Sequence, residues 1–197
     1  MKSIEFVLMG IALSILGGCG GGGSDTPPEA RTLQLMGDST LNDAADGYSA
    51  RYGAGRVFNG AVAGTASAYG VALLPTVRAD VLLVNYGAND AVVDGSLPLV
   101  PIDAYRVNLR RIAAAPARVV FATPNAEDTT TRNVGPYAQA MREVAVETGA
   151  RLIDVEACML VRPDWRTLLI DGVHPSPTGH TWILMNCVAP VLDGVLR

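Results

Sequence analysis

Apolar residues fall along this chain in five short runs separated by segments of helical character. The runs cover 32–36, 56–62, 81–85, 118–122 and 151–155. Two of them, Val81-Leu82-Leu83-Val84 and Val119-Val120-Phe121, are unbroken. Unbroken apolar runs suit strands covered on both faces, as in a parallel sheet, rather than strands with one wet face. The intervening segments predict helices over 66–78, 101–114 and 137–148, and a last one over 178–192. Pro101 and Pro177 stand at two of the starts, where a missing N–H costs little. Strands alternating with helices predict right-handed crossovers and an α/β sandwich on a five-stranded parallel sheet.

In such sheets ligands bind beyond the carboxyl ends of the strands. Gly37-Asp38-Ser39 follows the first run, so Ser39 should face that crevice. A serine hydroxyl is a poor nucleophile until a base within hydrogen-bond reach takes its proton, and that base needs an orienting partner. The chain has 2 histidines. His174 closes Asp171-Gly172-Val173-His174, a spacing that lets Asp171 reach Nδ1 while Nε2 stays free for Ser39. His180 follows six residues later, which is not the i, i+4 spacing of a zinc pair, and it reads as a packing or capping residue. Charge developing on a carbonyl under attack needs fixed donors. The second run leads to Asn59-Gly60-Ala61-Val62-Ala63-Gly64-Thr65, where Gly64 lets its N–H approach a substrate closely. The third leads to Gly87-Ala88-Asn89-Asp90, where Asn89 carries a side-chain NH₂. Asp38 and Asp90 read as turn or cap residues.

Together, Gly37-Asp38-Ser39, Gly64, Gly87-Ala88-Asn89-Asp90 and Asp171-Gly172-Val173-His174 resemble the four blocks of the SGNH (GDSL-type) hydrolases, in the family's order. The resemblance implies a flavodoxin-like three-layer α/β/α sandwich. It implies Ser39 as nucleophile, His174 as base and Asp171 as orienting acid. The oxyanion hole would come from the Ser39 N–H, the Gly64 N–H and the Asn89 side chain. It also implies acyl chemistry with no metal or cofactor. Thr40 stands where many relatives have leucine, a position outside the chemistry. The absence of any Gly-x-Ser-x-Gly disfavours the nucleophile-elbow hydrolases.

Charge and composition narrow the partners. Net charge is −4, Lys2 is the sole lysine and no basic cluster occurs, so nucleic-acid binding has no electrostatic support. At 49% hydrophobic and 17% charged residues the chain is not a disordered one. Its start reads differently from the rest. An apolar stretch from residue 6 to 16, too short for a bilayer span, ends in Leu16-Gly17-Gly18-Cys19, which resembles a bacterial lipobox. That resemblance implies a leader over 1–18 cut before a lipidated Cys19, and a cell-envelope protein anchored by its lipid, with Gly20 favouring the outer membrane. Residues 19–30, rich in glycine and proline, would then tether a hydrolase domain over 31–197. Cys158 and Cys187 could pair in an oxidising compartment or remain small buried hydrophobes.

Several residues have two readings. Trp165 either lines an acyl pocket or packs; Arg106, Arg110 and Arg111 form a solvated helix face. The polar segment 125–133 hangs over the serine's edge of the sheet, as a substrate-selecting loop or a plain surface loop. Short loops and the lack of an apolar lid favour a short-chain acyl or O-acetyl ester as substrate. The alternatives are a carbohydrate O-acetyl esterase or acyltransferase acting on envelope polysaccharide, and a non-catalytic binding lipoprotein on the same fold.

Overall fold

The five apolar runs pair side by side as one parallel sheet. The computed structural model describes residues 30–197; the expected leader, Cys19 and the tether up to residue 29 lie outside the described residues. The strands are β1 (Leu33–Gly37), β2 (Val57–Asn59), β3 (Val81–Asn85), β4 (Arg118–Ala122) and β5 (Arg151–Ile153), in the order β2-β1-β3-β4-β5. This is the flavodoxin-like order. The chain steps from β1 out to β2, then returns past β1 to build β3, which leaves a crevice where the direction of winding reverses.

Alternating side chains of the strands feed two cores. Leu33, Leu35, Val81, Leu83 and Val120 face one layer, which holds α1 (Ser39–Tyr52), α5 (Val155–Leu160), α6 (Pro177–Ile183) and α7 (Ala189–Val195). Met36, Leu82, Val84, Val119 and Phe121 face the other, with α2 (Ser67–Leu73), α3 (Ile102–Ala113) and α4 (Gly135–Thr148). Both faces of the central strands are buried, which is why their sequences run apolar without alternation.

Three differences from the sequence reading have physical causes. Helix α1 was not expected: its buried residues Leu41, Ala45, Tyr48 and Tyr52 form a narrow stripe among polar and small residues. Asp38 fixes its start by accepting from the Thr40 N–H at 3.0 Å. Likewise β5 stops at Ile153 because Asp154 caps the unexpected α5 through the Ala157 N–H. The predicted last helix is split. Pro190 removes a donor from its ladder, and the turn ahead of it, Leu184–Val188, widens to i→i+5 bonding between α6 and α7.

Outside the sheet, Arg106 pairs with Glu143 and Arg110 with Glu147, linking the exposed faces of α3 and α4. Trp165 packs in the core beneath the Arg166 guanidinium, 4.6 Å above its ring. Cys158 on α5 and Cys187 in the wide turn are joined as a disulfide across 29 residues of sequence.

Closing a loop of that length restricts the unfolded chain by about 3 kcal/mol. The double variant Cys158→Ala/Cys187→Ala should therefore unfold at lower urea, with a loss of about 2–4 kcal/mol in equilibrium unfolding.

Candidate active site

Three strand ends and one late loop meet at the crevice between β1 and β3. Backbone bonds do the gathering. After β2 the Val62 N–H donates to the Gly37 carbonyl at 2.9 Å, and the Gly60 N–H to that of Leu35 at 2.9 Å. These bonds bring the loop carrying Gly64 against the end of β1. The Asn89 side chain donates through Nδ2 to the Thr65 carbonyl at 3.0 Å, tying the end of β3 to the same loop. Gly64 has φ 76°, a left-handed conformation that favours glycine, and open space lies where a side chain would stand. Among the described residues no carbonyl accepts from the Ser39 or Gly64 N–H. Two backbone donors and one hydrogen of the Asn89 amide are thus left without an acceptor among the described residues at the edge of the crevice.

Ser39 opens α1, and its Oγ lies 3.0 Å from His174 Nε2. His174 Nδ1 lies 2.8 Å from Asp171 Oδ2. The Asp171 carboxylate also accepts from the His174 N–H at 2.8 Å and the Val173 N–H at 3.0 Å, both on Oδ1. Burial raises this carboxyl, but those backbone bonds and the imidazole outweigh it and hold the group down at about 2. Asp171 is therefore ionised across any working pH and accepts the Nδ1 proton, which leaves Nε2 as the lone-pair end facing Ser39. The loop is pinched at its base: Ile170 N–H donates to the His174 carbonyl at 2.8 Å and Ser176 N–H to that of Leu168 at 2.8 Å.

The segment after β4 buttresses that loop. The Asp128 N–H donates to the Gly172 carbonyl at 2.7 Å. Gly172 has φ 82°, and a Cβ there would stand 2.4 Å from the Asp128 carbonyl oxygen. Asp128 is held in turn by Arg166 at 3.0 Å.

Buried carboxyls lie beneath the site. Asp38 is fully buried, and burial pushes it up to about 7 against the pull of the Thr40 N–H, with Asp90 adding to the rise. Burial likewise raises Asp90, which takes the Ser67 N–H and hydroxyl at the start of α2. Both aspartates thus cap helices. Two residues of the polar segment, Glu127 and Arg132, had gone unremarked in the sequence because a lone acid and a lone arginine in a polar stretch look solvated. Burial raises Glu127 to about 8, with Arg132 opposing and Asp38 and Asp171 adding. Its Oε2 is buried without a hydrogen-bond partner, as is Arg132 Nε. The Arg132 Nη2 lies 3.5 Å from Asn89 Oδ1, on the side of that amide opposite its donor.

With the geometry in hand, comparison with known proteins is decisive. The model of the GDSL-like lipase/acylhydrolase family matches residues 14–182. The chain belongs to that family. A curated mouse (Mus musculus) relative, the isoamyl acetate-hydrolyzing esterase 1 homolog, is 30% identical over 134 residues, covering 55% of this chain and 53% of the relative. The chain thus spans about half the length of that relative. Among solved structures, the Enterococcus faecalis lipase/acylhydrolase superposes with TM-score 0.70 at 22% identity, over 85% of this chain and 97% of that one. The Pseudoalteromonas sp. esterase EstA, solved inhibited by monoethylphosphonate, superposes with TM-score 0.58 at 18% identity, over 82% of this chain and 98% of that one. These neighbours share the fold, and the family is one of carboxylic ester hydrolases.

Glu127 offers a test of the site's electrostatics. Its carboxyl sits at about 8 in the folded protein against an ordinary 4.5. The folded state therefore keeps a proton that the unfolded chain releases, and stability falls as pH climbs from 4.5 through 8. Glu127→Gln cannot ionise. Its stability relative to the native protein should be level at pH 4 and higher at pH 9, measured by urea unfolding at both pH values.

Proposed function

We propose that the chain hydrolyses short-chain acyl or O-acetyl esters through an acyl-enzyme on Ser39. The observation that carries this reading is the unbroken relay from Ser39 Oγ through His174 to Asp171, at 3.0 and 2.8 Å. In the first half-reaction Ser39 Oγ attacks the ester carbonyl carbon while His174 Nε2 takes the hydroxyl proton. The imidazolium that forms is stabilised by the ionised Asp171, which does not itself take a proton. The carbonyl oxygen, now negative, is held by the N–H groups of Ser39 and Gly64 and by Asn89 Nδ2. Collapse breaks the bond to the leaving alcohol, whose oxygen receives the proton from Nε2. Water then repeats the sequence on the acyl-enzyme, with Nε2 as base, releasing the carboxylic acid and restoring Ser39.

Protonation of Asp38 favours this chemistry, because a neutral carboxyl next to Ser39 adds no negative charge opposite the developing oxyanion. Arg132 supports it from the other side by engaging Asn89 Oδ1 and leaving Nδ2 to face the substrate. The small acyl group is supported by the mouse relative, whose name pairs an acetyl group with an alkyl alcohol.

Ser39→Ala should lose covalent labelling by a fluorophosphonate probe, and native labelling yield in that variant would remove the reading. Asn89→Ala should keep labelling but lower kcat on p-nitrophenyl acetate by about 10²–10³. We also propose that Cys19 is lipidated and holds the domain at the envelope membrane. Cys19→Ala should then abolish incorporation of radiolabelled palmitate and move the protein from the membrane pellet to the soluble fraction.

A further inference from the structure

A groove of about 710 Å³ runs along the outer face of α1, walled on its far side by α6 and the wide turn that follows it. The sequence reading expected little apolar surface for a substrate, and this trough is that surface. Its floor is made of small residues, Ala44, Gly47 and Ala50, and its far wall carries Leu184 and Met185. Met185 is 49% exposed and Ile170 at the groove's head 69% exposed, so both present apolar surface along it.

The position of the groove identifies its occupant. One wall is α1, which begins with Ser39; Asp43, a lining residue, lies one helical turn beyond it on the same side. The head is formed by Ile170 and Pro175, which flank His174; the Ile170 N–H donates to the His174 carbonyl at 2.8 Å. The groove therefore leads away from the imidazole side of Ser39, whereas Gly64 and Asn89 lie toward the other side, tied to the ends of β1 and β3. Proton transfer fixes which part of an ester can lie there. With the carbonyl oxygen directed to Gly64 and Asn89, the ester oxygen that leaves must face His174 Nε2 to be protonated, so the alcohol carried on that oxygen projects past His174. The acyl substituent points elsewhere. Most of the lining fits an uncharged chain: the one cation, Arg51, is already paired with Asp193, burial holds the His180 imidazole toward its neutral form, and the one carboxylate, Asp43, is exposed to solvent at the end nearest Ser39.

We infer that the groove between α1 and α6 is the alcohol subsite of this enzyme, and that it selects esters of extended apolar alcohols. The inference rests on the ester-hydrolase reading above and adds to it the side of the substrate on which selectivity is exercised.

Two variants measure it as a ruler. A Cβ at Gly47 would meet only the Leu184 side chain, at 3.5 Å, so Gly47→Leu fits the helix and projects into the groove about midway along its α1 wall. Ala50→Leu fills it about one turn further from Ser39. The native protein is assayed on methyl to octyl acetate, and on methyl acetate to methyl octanoate. The expected result is a kcat/KM that rises about two- to threefold per methylene along the alcohol series, as for partial burial of each carbon. Gly47→Leu should lower the ratio of octyl to methyl acetate at least tenfold, Ala50→Leu should truncate the rise at a longer alcohol, and neither should move the methyl octanoate to methyl acetate ratio more than twofold. These ratios are unaffected by a misfolded fraction. If the variants shift the acyl series instead, or neither series, the alcohol subsite is overturned while the hydrolase reading stands. If the folded native protein turns over no ester and takes no fluorophosphonate, the hydrolase reading falls and the subsite with it.

Discussion

The molecule is organised around how closely β1 and β3 approach at their carboxyl ends. Gly37 lies so near the Asn85 carbonyl that a Cβ would stand 2.6 Å from that oxygen. Contact at this distance with backbone cannot be relieved by a rotamer change, so the last residue of β1 must lack a side chain. That contact sits at the reversal of winding, where no crossover covers the strand ends. It sets the separation between the start of α1, with Ser39, and the turn that carries Asn89. The loop after β2 is bonded to the same Gly37 through its carbonyl. One glycine thus supports three contributors to the crevice without touching a substrate.

The strands and the meeting of Ser39, His174 and Asp171 were legible because both depend on local pattern. Val81–Asn85 and Arg118–Ala122 were bounded correctly, since a central strand buried on both faces leaves a continuous apolar signature. Ser39, Asp171 and His174 could be paired because an acid three residues before a histidine has few other uses beside a serine at a strand tip. Helix α1 was missed although its stripe at Leu41, Ala45, Tyr48 and Tyr52 has helical spacing. Small residues on its outer side dilute the apolar average, and those same small residues form the floor of the groove. Glu127 and Arg132 could not be found from the sequence. Their meaning comes from burial against groups more than thirty residues away, such as Asn89 and Asp171, and local composition carries no trace of that.

Acidic groups around the site are sorted by their surroundings. Asp171, with two backbone N–H groups and an imidazole, is held down at about 2, while Asp38 and Glu127, short of donors, are pushed up to about 7 and 8. The sorting concentrates negative charge behind His174, where the proposed mechanism needs it to stabilise an imidazolium, and away from Gly64 and Asn89, where that mechanism places an oxyanion. Two of the three carboxyls therefore spend part of the physiological range protonated, and the field at Ser39 is set by how many donors each acid finds rather than by how many acids are present.

Consider finally the packing of Gly172 against Asp128. The segment that overhangs the crevice and the loop that delivers the imidazole share a hydrogen bond and a contact too tight for any side chain. Grafting a foreign loop into 125–133 would thus move the mounting of His174 as well as the overhang, so under the proposed mechanism it would disturb turnover along with preference. The outer face of α1 makes no such contact: nothing but the Leu184 side chain lies within reach of a Cβ at Gly47. If the groove along α1 holds the alcohol as proposed, its small residues are the positions to redecorate, with the overhang left alone.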